Sequence, residues 1–336
     1  MKQIVIVAIF ISSLWSVSVT DMLEREVKVQ ANQKILAIGP GALRLISYMQ
    51  ADDLLVGIER LELDFDTKSP YRHILNKDFI ASLPIIGEGG PGKLPDIEAI
   101  IKTDADIIFT SFLPLDFVQN LQNRTQIPVV ALSYGSGYGG ESNAQKLTAI
   151  KNSLHLLGQI LDKQERATAL VDFMDGLELL LNHSIESDAK LYIGGIGFRG
   201  ARGFTSTESD YPSFELLGVQ NSINLGKRGH SQISYEKILI NDPDTIFLDS
   251  LGRGIINEEL QTHPQIFQNL SAFENKKIYW LYPYNFYNTN IENIYINAFI
   301  IASKLGANLD IESIQNQIFK KFLGLKPSVK LPAFNE

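Results

Sequence analysis

LPDIEAIIKTDADIIF (Leu94–Phe109) and ISYEKILINDPDTIFL (Ile233–Leu248) are two versions of one phrase. Set in register on Glu98 and Glu236, they match at Ile100 and Ile238, Asp104 and Asp242, and Asp106 and Asp244. The match runs on through Ile108 and Ile246 to Phe109 and Phe247. A short helix feeding a buried strand can always be written this way, because the helix needs an apolar face and the turn favours aspartate. A chain built from two similar lobes would also say it twice, once per lobe. The phrases occupy corresponding places in the two halves, which favours the second reading. Each puts its glutamate on the first helical turn, where a carboxylate suits the positive helix end. Ile100 and Ile101, like Ile238 and Leu239, are expected to claim the inner side and leave the glutamate exposed.

The chain has 336 residues, enough for two domains of ordinary size. Hydrophobic residues at 45% and charged residues at 20% are globular values. A formal net charge of -8 disfavours a nucleic-acid partner, since neutralising phosphates needs a basic face. The absence of cysteine excludes disulfide scaffolds, thiolate zinc sites and a lipid-modified cysteine. The N-terminus places Lys2 before an apolar stretch from Ile4 to Val19, with Ser16 and Ser18 in a small-x-small pattern. That layout predicts an export signal over residues 1–19, although an uncleaved N-terminal anchor fits the same run. With no cysteine to lipidate, a soluble periplasmic protein is the simplest expectation.

Short apolar runs alternate with helical spacing along the rest of the chain. Lys34 to Ile38, Leu54 to Glu59, Leu83 to Ile86, ADIIFTS and IPVVALS read as strands, with helices on Ala42 to Met49 and Pro95 to Lys102. Ala167, Leu170, Val171, Met174, Leu177 and Leu181 form one helix stripe. Alternation then resumes through AKLYIGGIG, DTIFLDS and KKIYWLYP, and the last clear helix is TNIENIYINAFIIASKLG. The pattern predicts α/β layers with parallel sheets. The expected division is an N-terminal lobe over 20–162, a joining helix over 163–185 and a C-terminal lobe over 186–336.

The ordered series ILAIGPGALRLISYM, LVGIE, LPDIEAIIKTDADIIFTS, SFELLGVQNSINLG and ISYEKILINDPDTIFL resembles the substrate-binding proteins of ATP-driven (ABC-type) importers for iron chelates, haem and cobalamin. The similarity covers nearly the whole chain after the N-terminal segment. The closing YPYNFYNTNIENIYINAFIIASKLG resembles a subgroup usually labelled as iron transport, some of whose relatives handle molybdate or tungstate. The resemblance implies two Rossmann-like lobes, each with a parallel central sheet, joined by a single long α-helix, with the ligand in the cleft between them. It implies a monomer that captures an anionic iron chelate of siderophore type and delivers it to the permease dimer of an importer. In that family one glutamate per lobe docks onto permease arginines, and by position those roles fall on Glu98 and Glu236.

Ligands of open α/β sheets bind beyond the carboxyl ends of the strands, which selects a set of loops. These carry Arg44, Glu59-Arg60, Tyr134 and Tyr138 in the first half, and Arg199, Arg202, Arg253, Tyr284 and Asn285 in the second. Arginine is a permanent planar cation suited to carboxylates and oxyanions, so the set points to an anionic ligand. Arg44, on a helix, also suits a solvated surface. GEGGPGK (Gly87–Lys93) has P-loop spacing, but Leu94 stands where serine or threonine would hold magnesium. His73, His155, His183, His230 and His263 are scattered without metal-ligand spacing, and no G-x-S-x-G elbow occurs. No catalytic residue, metal site or cofactor is therefore predicted. The alternatives are a molybdate- or tungstate-binding protein of the same fold, an exported α/β enzyme acting on an anionic substrate, and a sensor using the same lobes.

Overall fold

The computed structural model describes residues 16–324 apart from 31–33, 66–67, 91, 136–140, 183–184, 186 and 224. The N-terminal lobe runs β1 (Ser16–Thr20), β2 (Glu26–Gln30), β3 (Ile35–Ile38), α1 (Ala42–Tyr48), α2 (Lys77–Ser82), α3 (Ile97–Ile101), β4 (Ile107–Ser111), α4 (Leu115–Thr125), β5 (Val129–Leu132) and α5 (Asn143–Ile160). Helix α6 (Gln164–Leu181) crosses to the second lobe. There follow β6 (Leu191–Gly194), β7 (Ser206–Glu208), α7 (Pro212–Leu217), β8 (His230–Gln232), α8 (Tyr235–Asn241), β9 (Thr245–Asp249), α9 (Arg253–Thr262), α10 (Pro264–Phe267), α11 (Ser271–Glu274), β10 (Ile278–Leu281), α12 (Ile291–Lys304) and α13 (Ile311–Leu323).

Each lobe holds a parallel sheet of the same plan. In the first the order is β3-β4-β5, and in the second β6-β9-β10, all neighbours parallel. A single parallel bridge extends each sheet beside its first strand, Leu55 to Ile35 and Asn221 to Leu191. The strands expected at 54–59 and 83–86 reduce to such bridges, Ile35–Leu55 and Ile58–Ile85. The inner sheet faces, with Ile35, Ala37, Ile107, Phe109, Ile193 and Phe247, share one core with α5, α6, α12 and α13. The outer faces have separate cores, one around Leu36, Ile38 and Ile108 and the other around Tyr192, Ile246 and Leu248.

The doubled phrase now has a physical account. Asp96 caps α3 by accepting from Ala99 N, and Ser234 caps α8 by accepting from Lys237 N. Ile100 and Ile238 are fully buried, each in the outer core of its own lobe, worth about 1.5–3 kcal/mol apiece. Asp104 and Asp242 turn the chain at φ 53° and 45°, a left-handed conformation that aspartate tolerates. Asp106 Oδ2 then accepts from Lys34 N at 2.8 Å while Asp106 N donates to Lys34 O at 2.8 Å. Asp244 repeats this pair on Lys190, at 2.7 and 2.8 Å. The recurring aspartate thus sets the register of the two central strands in each lobe.

The boundary expected after residue 19 falls within β1, which pairs antiparallel with β2 from Ser16 to Thr20 and buries Val19. Two other expectations are corrected. TNIENIYINAFIIASKLG is not the last helix, because α13 follows, capped by Asp310 and ended by Gly324 at φ 72°. It packs Phe322 edge-on against Tyr48 at 5.2 Å, while Arg166 of α6 donates to the Tyr48, Lys321 and Phe322 carbonyls. The joining helix is therefore braced along the back by α12 and α13. Finally, Ile101 does not face inward but is 52% exposed.

Candidate functional site

The carboxyl ends of the two sheets face a cleft. Its N-terminal wall is made by Gly39–Gly41 after β3, Glu59, Gly89-Gly90, Phe112 after β4 and Tyr134 after β5. The opposite wall carries 197–203 after β6, His230, Ser250–Arg253 after β9 and the segment 282–290 after β10.

Segment 282–290 straddles the two lobes. On the C-terminal side the Tyr284 hydroxyl donates to Glu208 Oε2, Tyr284 N donates to Asp249 Oδ2 at 3.3 Å, and Asn285 Nδ2 donates to Gly197 O at 3.5 Å. On the N-terminal side the Tyr287 hydroxyl donates to Glu59 Oε2 at 2.9 Å and accepts from Gly90 N at 3.1 Å. Asn288 Nδ2 donates to Pro40 O at 2.9 Å, and Asn290 Nδ2 to Lys68 O at 3.1 Å. Each end of the strap is thus a tyrosine on a buried carboxyl. Burial pushes Glu59 up to about 7 against the Gly39 N–H and Tyr287 hydrogen bonds, and pushes Glu208 up to about 8, helped by Asp210.

Arg44 lies beneath this strap. It is not a solvated surface residue but fully buried, with Nη2 donating to Phe286 O at 2.9 Å and to Asn290 Oδ1 at 2.9 Å. Its guanidinium stands 4.9 Å from the Tyr71 ring centre. Tyr134 is likewise buried, its hydroxyl donating to Gly41 O at 2.8 Å, and Tyr284 is 6% exposed. Arg44, Tyr134 and Tyr284 therefore support the cleft from behind. Tyr138 lies outside the described residues.

Arg199 and Arg202 are exposed in the loop after β6, and Asn285 is half-buried in the segment after β10. Arg199 has φ 53° and sits 5.5 Å from the ring of Phe198, while Arg202 Nε donates to Phe198 O at 2.9 Å. Neither arginine has a carboxylate partner among the described residues. Arg253, half-buried at the start of α9, is drawn away, its guanidinium 5.9 Å from the Trp280 ring. The residue before it, Gly252, must be glycine, since a Cβ there would lie 2.2 Å from Arg202 O.

Two aromatic pairs at the cleft escaped the sequence reading. Phe198, 38% exposed, stacks on His230 at 4.3 Å and 4°, and Phe112, 40% exposed, stacks on Tyr134 at 6.1 Å. The His230 ring shares a 2.8 Å hydrogen bond between Nε2 and Ser206 Oγ. Its pKa is lowered by burial and then by Arg202 and Lys227, so it stays neutral at neutral pH. A hollow of about 890 Å³ also opens on the flank of the C-terminal lobe, but its Arg228 is 3.7 Å from Asp210 and 3.8 Å from Glu215. Its charges are already matched. The cleft can do something else: present unpaired cations and flat ring faces, with buried acids holding its frame. Among the described residues no group of three or more metal-ligating side chains occurs.

Glu98 and Glu236 sit one residue into α3 and α8, exposed, without hydrogen-bond or ion-pair partners among the described residues. No helix among the described residues is long and apolar enough to cross a membrane.

Comparison with solved structures gives a periplasmic solute binding protein from Veillonella parvula at 17% identity and a TM-score of 0.73, covering 93% of this chain and 94% of that one. The molybdate periplasmic binding protein MolA of Haemophilus influenzae is similar at 17% identity and 0.68, covering 92% and 98%. The petrobactin-binding protein YclQ of Bacillus subtilis is similar at 16% identity and 0.60, covering 88% and 100%. A comparison of the sequence with curated proteins gives no match. The family model described as Periplasmic binding protein matches residues 88–284, a span that takes in both copies of the doubled phrase. The chain belongs to the periplasmic binding protein family.

Proposed function

We propose that this protein captures an anionic iron chelate of siderophore type in its interlobe cleft, in the periplasm, and delivers it to an ABC importer. The observation that carries this reading is the cleft surface of the C-terminal lobe. Arg199 and Arg202 stand there without acid partners, beside the parallel pair of Phe198 and His230. Unpaired guanidinium groups favour an anion, and an exposed ring face favours a flat conjugated group over bare solvent. A compact oxyanion such as molybdate, bound by one of the structural relatives, would use the arginines but leave the rings idle. Arg44, Tyr134 and Tyr284 act in this reading as supports of the ligand's wall, and Asn285 as a contact. Glu98 and Glu236 dock the protein onto the two subunits of the permease.

The test is titration of the purified protein with a ferric catecholate complex, haem and sodium molybdate, followed by tryptophan fluorescence and thermal stabilisation. The chelate is expected to stabilise the protein without being consumed. Arg199→Ala with Arg202→Ala should weaken that binding roughly tenfold or more, as loss of charged hydrogen bonds does. Stabilisation by molybdate alone, turnover of the chelate, or an unchanged affinity in the double variant would defeat the proposal.

A further inference from the structure

The strap ends in a small hairpin that belongs to one lobe and is held by the other. Asn285 bridges Thr289 antiparallel, and Phe286 N donates to Asn288 O at 3.0 Å across the tip. At its base Tyr284 is anchored on Glu208 of its own lobe. The tip docks on the N-terminal lobe. Phe286 O accepts from Arg44 Nη2 at 2.9 Å and from Ser69 Oγ at 3.2 Å, and Asn288 Nδ2 donates to Pro40 O. Two consecutive tip residues are left-handed, Tyr287 at φ 47° and Asn288 at φ 77°. Asparagine tolerates that conformation, but for tyrosine it is strained, and such strain persists only while the surroundings hold it.

What holds Tyr287 is one carboxyl. Glu59, 3% exposed, accepts at Oε2 from the Tyr287 hydroxyl at 2.9 Å and from Gly39 N at 3.0 Å. The hydroxyl in turn accepts from Gly90 N at 3.1 Å. The charged groups around this site are committed elsewhere. Arg72 Nε donates to Glu62 Oε2 at 2.7 Å, and the Tyr71 hydroxyl donates to the same oxygen at 2.6 Å. Arg60 pairs with Glu88 at 2.9 Å, both exposed, and Lys93 is exposed on the Gly90 loop. Glu59 therefore has no ion-pair partner among the described residues.

We propose that the hairpin tip is a proton-controlled latch between the lobes, docked while the Glu59 carboxyl is protonated and released when that carboxyl ionises. A buried carboxylate beside Glu62, without a cation of its own, is better served by water than by two hydrogen bonds. Undocking the tip supplies that water and relaxes Tyr287 in one movement. Burial pushes Glu59 up to about 7 from its ordinary 4.5, outweighing the Gly39 and Tyr287 hydrogen bonds, with Glu62 raising it further and Arg72 lowering it. The docked form thus keeps a proton that the undocked form gives up. The latch is strongest below about 4.5 and weakens as pH rises toward about 7. Once it is released, α6 with its brace of α12 and α13 still joins the lobes. The latch is independent of which ligand the cleft takes.

The test is amide hydrogen exchange of the full protein, ligand-free, followed by NMR from about pH 5 to about pH 7.5 and corrected for the intrinsic effect of pH. The Gly90 amide reports the latch, because its acceptor is the Tyr287 hydroxyl. Its opening equilibrium should rise about tenfold or more across that range, with a ceiling of about sixtyfold. Glu59→Gln keeps an acceptor for Tyr287 but cannot ionise, and should flatten the rise. Glu208→Gln, at the base of the hairpin, and His73→Gln, on the same turn as Arg72, should leave it as in wild type. Should Glu59→Gln fail to fold, the carboxyl carbon shift of Glu59 in wild type serves the same end, since it must titrate over the range in which Gly90 loses protection. Protection of Gly90 that ignores pH, a rise that survives Glu59→Gln or is lost in either other variant, or a Glu59 shift that titrates elsewhere would overturn the latch.

Discussion

Glu208 makes a sharp test of how the strap is anchored. Its carboxyl is buried among Asp210, Asp249 and Glu215, accepts the Tyr284 hydroxyl, and is pushed up to about 8. An unfolded chain ionises the same group near 4.5, its ordinary value. Between those values the folded protein holds a proton that the unfolded chain has released, so this group's contribution is fully present below about 4.5 and falls as pH rises toward 8. Each pH unit in that window is worth up to about 1.4 kcal/mol. From about pH 5 to about pH 7.5 the loss from Glu208 alone is therefore at most about 3 kcal/mol, a large share of an ordinary domain's stability. Glu208→Gln keeps the acceptor for Tyr284 and a donor in place of the acid proton, yet cannot ionise. Urea unfolding across this range should show wild type losing stability with rising pH and the variant losing clearly less. The two should converge at the acid end. Parallel curves would refute the idea that a protonated carboxyl holds Tyr284.

Gly41→Ala should destabilise the protein by about 2 kcal/mol or more, measured as a fall in Tm, because φ is 88° and the new Cβ would meet the Tyr134 ring at 2.7 Å and Asn288 Nδ2 at 2.8 Å. Asp106→Ala and Asp244→Ala should cost similar amounts, about 1–2 kcal/mol each by chemical unfolding, since each leaves a strand-opening N–H without its acceptor. A much larger loss in one lobe than the other would contradict their structural equivalence.

The phrase that recurs at Glu98 and Glu236 was legible because its content is local: a cap, a buried isoleucine, a turning aspartate and a strand all act within about fifteen residues. The same holds for α6 and α12, whose apolar stripes follow the helical period. Helix α13 carried a comparable signal, Asp310 before Ile311 and Ile314, then Ile318 and Phe322, with Gly324 closing it. What no spacing could reveal was the burial of Arg44, because the carbonyl that accepts its hydrogen bond belongs to Phe286, 242 residues further on. The strap reverses the apparent meaning of the arginines. The one nearest the first strand is covered and structural, while Arg199 and Arg202 are exposed and have no carboxylate partner among the described residues. Tyr284 and Tyr287 follow the same logic, since each hydroxyl is committed to a carboxyl in a different lobe. Residues three positions apart in one loop therefore grip opposite walls of the cleft. Segment 282–290 is therefore a bond between the two lobes in its own right, made of side chains whose partners lie more than seventy residues earlier in the chain.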